Sequence, residues 1–135
     1  MFVVDASITL AWCFTDESSR YADEVLGHLG DGEAMAPAIW PLEVANGLLT
    51  AVRRGRLDAA MLPRLSELLG ALPVHVEAVL LSDALGRVLD AARTLELTAY
   101  DAAYLDLAAR RGVPFATLDE RLQSACRAAD VELMR

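Results

Sequence analysis

Short apolar runs alternate with longer helical stretches along this 135-residue chain. The runs are Phe2 to Val4, Ala34 to Ala36, Val74 to Val76, Val113 to Thr117 and Val131 to Leu133. Between them, caps and apolar spacing predict helices from Ser7 to about Cys13, Arg20 to Leu29, near Pro37 to Arg54, Asp58 to about Leu72, Ser82 to about Leu95, Asp101 to Arg111, and Asp119 to about Ala128. Gly30, the Asp31–Gly32 turn, Gly55, Pro73 and Gly112 mark the stops. Thr15 to Ser19 reads as a polar loop, and Pro41 predicts irregularity early in its helix. Strand–helix alternation of this kind predicts a parallel sheet covered on both faces. The expectation is an α/β three-layer sandwich, one domain over residues 1–135, without repeats or linkers.

Composition narrows the chemistry. There is no lysine, and all twelve basic residues are arginine. That argues against a P-loop, which needs its Gly-Lys pair, and a Schiff base, which needs an amine. Cys13 and Cys126 match no metal-ligand spacing and read as buried free thiols. His28 and His75 are isolated. No apolar run approaches the roughly 20 residues of a membrane span, and no signal peptide is visible, so a cytoplasmic protein is expected. A net charge of −8 makes the chain a poor default binder of nucleic acid. Any such role needs positive charge from bound cations, a partner or a local arginine patch.

Four acids stand out. Asp5 follows the first apolar run directly, and Asp119 follows the fourth. In a parallel sheet both lie at the carboxyl ends of the strands, where ligands bind. Asp101 opens a helix. Glu43 lies among Leu42, Val44, Ala45, Leu48, Leu49 and Val52, on a helix that reads as buried on most sides. A buried glutamate costs several kcal/mol unless it is compensated. Taken singly, Asp5, Asp101 and Asp119 are also ordinary helix caps or turn formers. Taken together, clustered carboxylates repel one another, and a divalent cation with a preference for oxygen relieves that. The expectation is one pocket for Mg2+ or Mn2+, with Asp5, Asp101 and Asp119 as ligands and Glu43 beside them. Such ions activate water against phosphodiesters, so no protein nucleophile is needed.

The stretches Phe-Val-Val-Asp-Ala-Ser at 2–7, Pro-Leu-Glu-Val-Ala-Asn at 41–46, Leu-Thr-Ala-Tyr-Asp-Ala-Ala-Tyr-Leu at 97–105 and Thr-Leu-Asp at 117–119 resemble the PIN-domain family, within it the VapC-type toxins. The four together span nearly the whole chain in the family's order. The resemblance implies a five-stranded parallel sheet of order 3-2-1-4-5, metal-dependent endoribonuclease activity on RNA, homodimerisation and a small antitoxin partner. It carries the acidic quartet onto Asp5, Glu43, Asp101 and Asp119, and the family's small hydroxyl residue onto Thr117, to orient a metal-bound water or a phosphate. Ser7 can act likewise or cap a helix. Asn46, one turn after Glu43, can hold its carboxylate.

Weaker signals remain. Tyr104, one turn from Asp101, reads as core or as pocket rim, and Asp106 turns away from the site. Arg53, Arg54 and Arg56, and separately Arg110 and Arg111, complement helix ends or contact RNA backbone. The apolar helices around Trp40 to Val52 and Met61 to Leu72 serve as core, as a dimer or antitoxin surface, or as both. Two other readings compete: a catalytically silent module of the same fold that binds RNA or protein, and a metal-dependent phosphatase. The latter usually carries a second aspartate two residues on, where this chain has Ser7.

Overall fold

The computed structural model describes residues 1–14, 16 and 19–135; of the polar loop expected at Thr15 to Ser19, Thr15, Glu17 and Ser18 lie outside the described residues. The elements run β1 (Phe2–Val4), α1 (Ala6–Cys13), α2 (Arg20–Gly30), β2 (Ala34–Pro37), α3 (Trp40–Arg53), α4 (Leu62–Gly70), β3 (Val74–Glu77), α5 (Leu81–Asp83), α6 (Leu89–Leu95), α7 (Ala99–Arg111), β4 (Phe115–Ala116) and α8 (Glu120–Ala128). A π-helical turn, Ala84–Val88, joins α5 to α6, and a 3-10 turn, Ala59–Met61, leads into α4.

The strands form a parallel sheet of order β3-β2-β1-β4. β1 sits in the middle because Phe2, Val3 and Val4 are all apolar and fully covered. Alternation along the strand sends Val3 into one core, with Trp40, Val44, Tyr104, Leu107, Phe115 and Leu122, and sends Phe2 and Val4 into the other, with Ile8, Ala11, Val25 and Leu29. Helices α1 and α2 therefore cover one face and α3, α7 and α8 the other, which is the three-layer α/β architecture expected.

The fifth strand is reduced to a single parallel bridge between Phe115 and Leu133. Its backbone bonds run from Phe115 to Glu132 at 2.8 Å and from Met134 to Phe115 at 2.9 Å. The order 3-2-1-4-5 is kept, but β4 offers only two residues, too few for a longer ladder. The start of α3 also shifts. Pro37 pairs with Glu77 in the sheet, so α3 begins at Trp40. Pro41 then falls in the first turn, where the missing N–H has no intrahelical acceptor to lose, and the irregularity expected there does not arise.

α3 is less buried than its apolar sequence suggested: Leu42 is 66 % and Leu49 42 % exposed. Its inner side lies close on α1 at Gly47, where a Cβ would stand 2.4 Å from a Leu10 methyl carbon. Among the described residues no helix is long and apolar enough to cross a membrane.

Candidate active site

The strand order reverses between β1 and β4, and the carboxyl edge at that point is where α/β sheets bind ligands. Asp5 lies there, 4 % exposed. The sequence suggested Ser7 as the cap of α1, but Asp5 takes that place, because its backbone is extended and its Oδ1 reaches the Ile8 amide at 3.1 Å. Ser7 falls inside the helix and donates to the same oxygen at 2.6 Å. Ser7 Oγ also accepts the Leu118 amide at 3.0 Å, tying α1 to the loop after β4.

Thr117 holds the other oxygen. Its hydroxyl, fully buried, donates to Asp5 Oδ2 at 2.5 Å and accepts the Asp119 amide at 3.1 Å. Its single proton is thus committed to Asp5, so Thr117 acts here as a strut between Asp5 and Asp119. Behind Asp5, the Thr9 hydroxyl donates to the Asp5 carbonyl at 3.0 Å and accepts the Trp40 indole N–H at 3.0 Å. Sequence reasoning missed this pair, because nothing in the spacing of Thr9 and Trp40 announces a contact between α1 and α3.

Glu43 lies in the first turn of α3, partly buried. Its Oε1 accepts the Tyr104 hydroxyl at 2.7 Å. Asn46, expected to support Glu43, is exposed, and no bond joins the two. A side chain one turn along the same helix stays beside Glu43 at the surface, whereas Tyr104 approaches from the facing helix. The signal for Tyr104 was its three-residue spacing from Asp101 on α7.

Asp101 sits in the first turn of α7 without capping it. Thr98 is the cap, and its Oγ1 accepts the Asp101 amide at 3.1 Å. Asp119 does cap α8, its Oδ1 accepting the amides of Arg121 at 2.8 Å and Leu122 at 3.4 Å.

Electrostatics link the four acids in a series. Burial pushes Asp5 up to about 6, against the bonds from Ser7, Thr117 and the Ile8 amide, with the Glu43 charge adding to the rise. Burial also raises Glu43, opposed by the Tyr104 hydrogen bond and assisted by Asp101. Asp101 is raised by burial and then by Asp119, with Thr98 and Arg121 pulling it back. Among the described residues, none of the four carboxylates enters an ion pair.

The donors here are all carboxylate oxygens, the hard set that suits magnesium or manganese. Among the described residues no three acidic, histidine or cysteine side chains stand close enough together to hold a metal ion by themselves. Acids spaced this way suit an ion that touches one or two carboxylates and keeps most of its waters.

The basic clusters divide. Arg110 and Arg111 both bond Glu77, Arg110 and Arg87 grip Asp106, and Arg87 pairs with Asp83. That second cluster and Asp106 therefore fasten α7 to β3 and the α5–α6 segment, away from the acids. Arg56 pairs with Asp16 and lies over the Phe14 ring at 5.1 Å. Arg53 and Arg54 are exposed at the far end of α3, roughly 15 Å along the helix from Glu43, and enter no ion pair among the described residues.

Comparison with known proteins agrees with this geometry. A family model described as the PIN domain matches residues 2–128. The chain is 38 % identical over 124 residues to the protein named Ribonuclease VapC3 from Pyrobaculum aerophilum, covering 89 % of this chain and 90 % of that protein. Its fold is similar to the crystal structure of PAE2754, also from Pyrobaculum aerophilum, with a TM-score of 0.69 and 28 % identity, covering 92 % of this chain and 84 % of that one.

Proposed function

Because the chain belongs to the PIN-domain family and its VapC-type branch, we propose that it is a divalent-metal-dependent endoribonuclease, the toxin of a toxin–antitoxin pair. The observation that carries the reading is the series Asp5, Glu43, Asp101 and Asp119 at the strand-order reversal, each of the first three raised partly by the charge of the next, with none of the four in an ion pair among the described residues. A relative named as a ribonuclease supports the reaction class.

Asp5, Asp101 and Asp119 would hold Mg2+ or Mn2+ together, one or two of them directly and the rest through the ion's waters. When bound, such an ion supplies an activated water and positive charge for the leaving oxygen of a phosphodiester. Ser7 and Thr117 keep the Asp5 carboxylate oriented by donating to separate oxygens. Glu43 adds negative charge beside Asp5 and is available to take a proton. Arg53 and Arg54 offer the RNA backbone a positive contact that the acidic pocket lacks.

The surface supports partners. Leu42, Leu80, Leu81 and Leu85 are each more than 60 % exposed, and these suit a homodimer. A separate apolar groove lined by Trp12, Leu26, Leu65, Leu68, Leu69 and Leu72 suits a segment of an antitoxin. The cytoplasm, where RNA and an antitoxin meet, is the setting for this activity.

The test is cleavage of structured RNA by purified protein with and without Mn2+, beside Asp5→Asn. Cleavage that needs the metal and disappears in the variant is the expected result. RNA bound but left intact under every metal condition would replace the nuclease with a silent binding module.

A further inference from the structure

Tyr104 is the only residue among those described that hydrogen-bonds the Glu43 side chain. The contact joins two helices, since Glu43 opens α3 and Tyr104 lies on α7, one turn after Asp101. We propose that Tyr104 is a positioning residue for the acidic centre: its phenol fixes the Glu43 carboxylate beside Asp5 and Asp101 while leaving the carboxylate's charge intact. The inference rests on the nuclease reading and adds to it a residue outside the acidic quartet.

Three observations carry it. The phenol cannot easily swing away, because Tyr104 is 1 % exposed and its ring lies parallel to Phe115, with centroids 6.0 Å apart and 7° between the planes. Phe115 belongs to β4, which pairs directly with β1, so the phenol is referenced to the strand that ends in Asp5. The bond occupies Oε1 only, and Oε2 takes no hydrogen bond among the described residues.

The choice of donor matters chemically. An arginine or lysine at this place would orient Glu43 equally well, but its positive charge would oppose cation binding. A phenol donates one hydrogen bond and brings no net charge. None of the chain's arginines pairs with Glu43 among the described residues. A tyrosine needed only for packing would do the same work as phenylalanine, and that difference is measurable.

The experiment compares wild type, Tyr104→Phe, Glu43→Gln and the double variant. Mn2+ affinity is measured by titration calorimetry, RNA cleavage as a function of Mn2+ concentration, and integrity by thermal melting. Tyr104→Phe keeps the ring against Phe115 and is expected to melt as a folded protein. Its Mn2+ affinity should fall about tenfold or more, as for groups that support a metal site from behind its ligands. Excess Mn2+ should recover much of its cleavage rate, which a packing defect would not allow. In the Glu43→Gln background the same change should add little, because the two residues act as a unit. Affinity within twofold of wild type, or an equal loss in both backgrounds, overturns the role for Tyr104. A wild type that binds Mn2+ but cuts no RNA overturns the nuclease reading alone, and the affinity comparison still decides Tyr104. A wild type that binds no Mn2+ overturns both.

Discussion

The Thr117 hydroxyl donates to Asp5 Oδ2 across 2.5 Å while accepting the Asp119 amide at 3.1 Å, so one buried side chain sets two of the four acids. Thr117→Val keeps the shape and removes the donor. The buried carboxylate then loses a hydrogen bond, a change of about 1–3 kcal/mol. Thr117→Val is therefore expected to lower the melting temperature at pH 8 more than at pH 5, where Asp5 is largely protonated, and to weaken Mn2+ binding. Thr117→Ser should restore both. Equal destabilisation at the two pH values would assign Thr117 to packing alone.

The metal-free chain should be most stable on the acidic side of neutrality. Asp5 is raised from its ordinary 3.8 to about 6. The native state therefore holds a proton that the unfolded state releases between those values. Stability from this group is fully present below 3.8, declines as pH rises, and is gone above about 6. The full effect of such a rise is about 3 kcal/mol. Glu43 and Asp101 are raised as well and act in the same direction. Glu77, held low first by the Arg111 hydrogen bond, acts the opposite way and loses stability as pH falls. Comparison with Asp5→Asn cancels that background. Urea unfolding of both proteins from pH 4 to 8 should show wild type losing stability relative to the variant as pH rises, and Mn2+ removing the difference. A constant gap across the range would mean that Asp5 ionises as easily as an exposed aspartate.

The arginines separate by what surrounds them. Arg110 and Arg111 are bound to Glu77 and Asp106, whereas Arg53 and Arg54 enter no ion pair among the described residues. Replacing Arg53 and Arg54 with glutamine should leave melting almost unchanged and reduce the salt slope of single-stranded RNA binding by up to about 1.4. The matching pair of changes at Arg110 and Arg111 should instead lower stability modestly, with the slope preserved. An unchanged slope in the first variant would remove Arg53 and Arg54 from the RNA surface.

How much of this could be read in advance depends on the range of the interaction. Asp5 and Asp119 were placed at one edge because the residue after a parallel strand has little freedom. The three-layer fold followed from the alternation of runs such as Phe2 to Val4 with helical stretches. The local capping pattern was legible but was assigned two residues out at α1, where Asp5 caps instead of Ser7, and three out at α7, where Thr98 caps instead of Asp101. Contacts between distant segments were the least legible. Tyr104 reaches Glu43 across 61 positions, and Trp40 reaches Thr9 across 31. Asn46 looked the better partner for Glu43 because sequence spacing shows neighbours on one helix and not the side chain arriving from the next. The apolar surround of Glu43 suggested burial, yet part of that helix faces outward in the isolated chain.

That outward apolar surface bears on assembly. A monomer of 14.6 kDa is expected to expose about 6,900 Å². This chain exposes 7768 Å². The surplus is close to the roughly 800 Å² that one partner contributes to a standard interface. Much of the apolar part is concentrated where α5 and its π-helical extension follow β3: Leu80 is 62 %, Leu81 72 % and Leu85 63 % exposed. Charges at the centre of such a patch would have to lose their water on association. Leu81→Asp with Leu85→Asp is therefore expected to convert a dimer to a monomer in multi-angle light scattering at micromolar concentration. Because both side chains already face solvent, melting of the separated chain should change little. A wild type that elutes as monomer throughout that range would mean the surplus is simply an irregular surface.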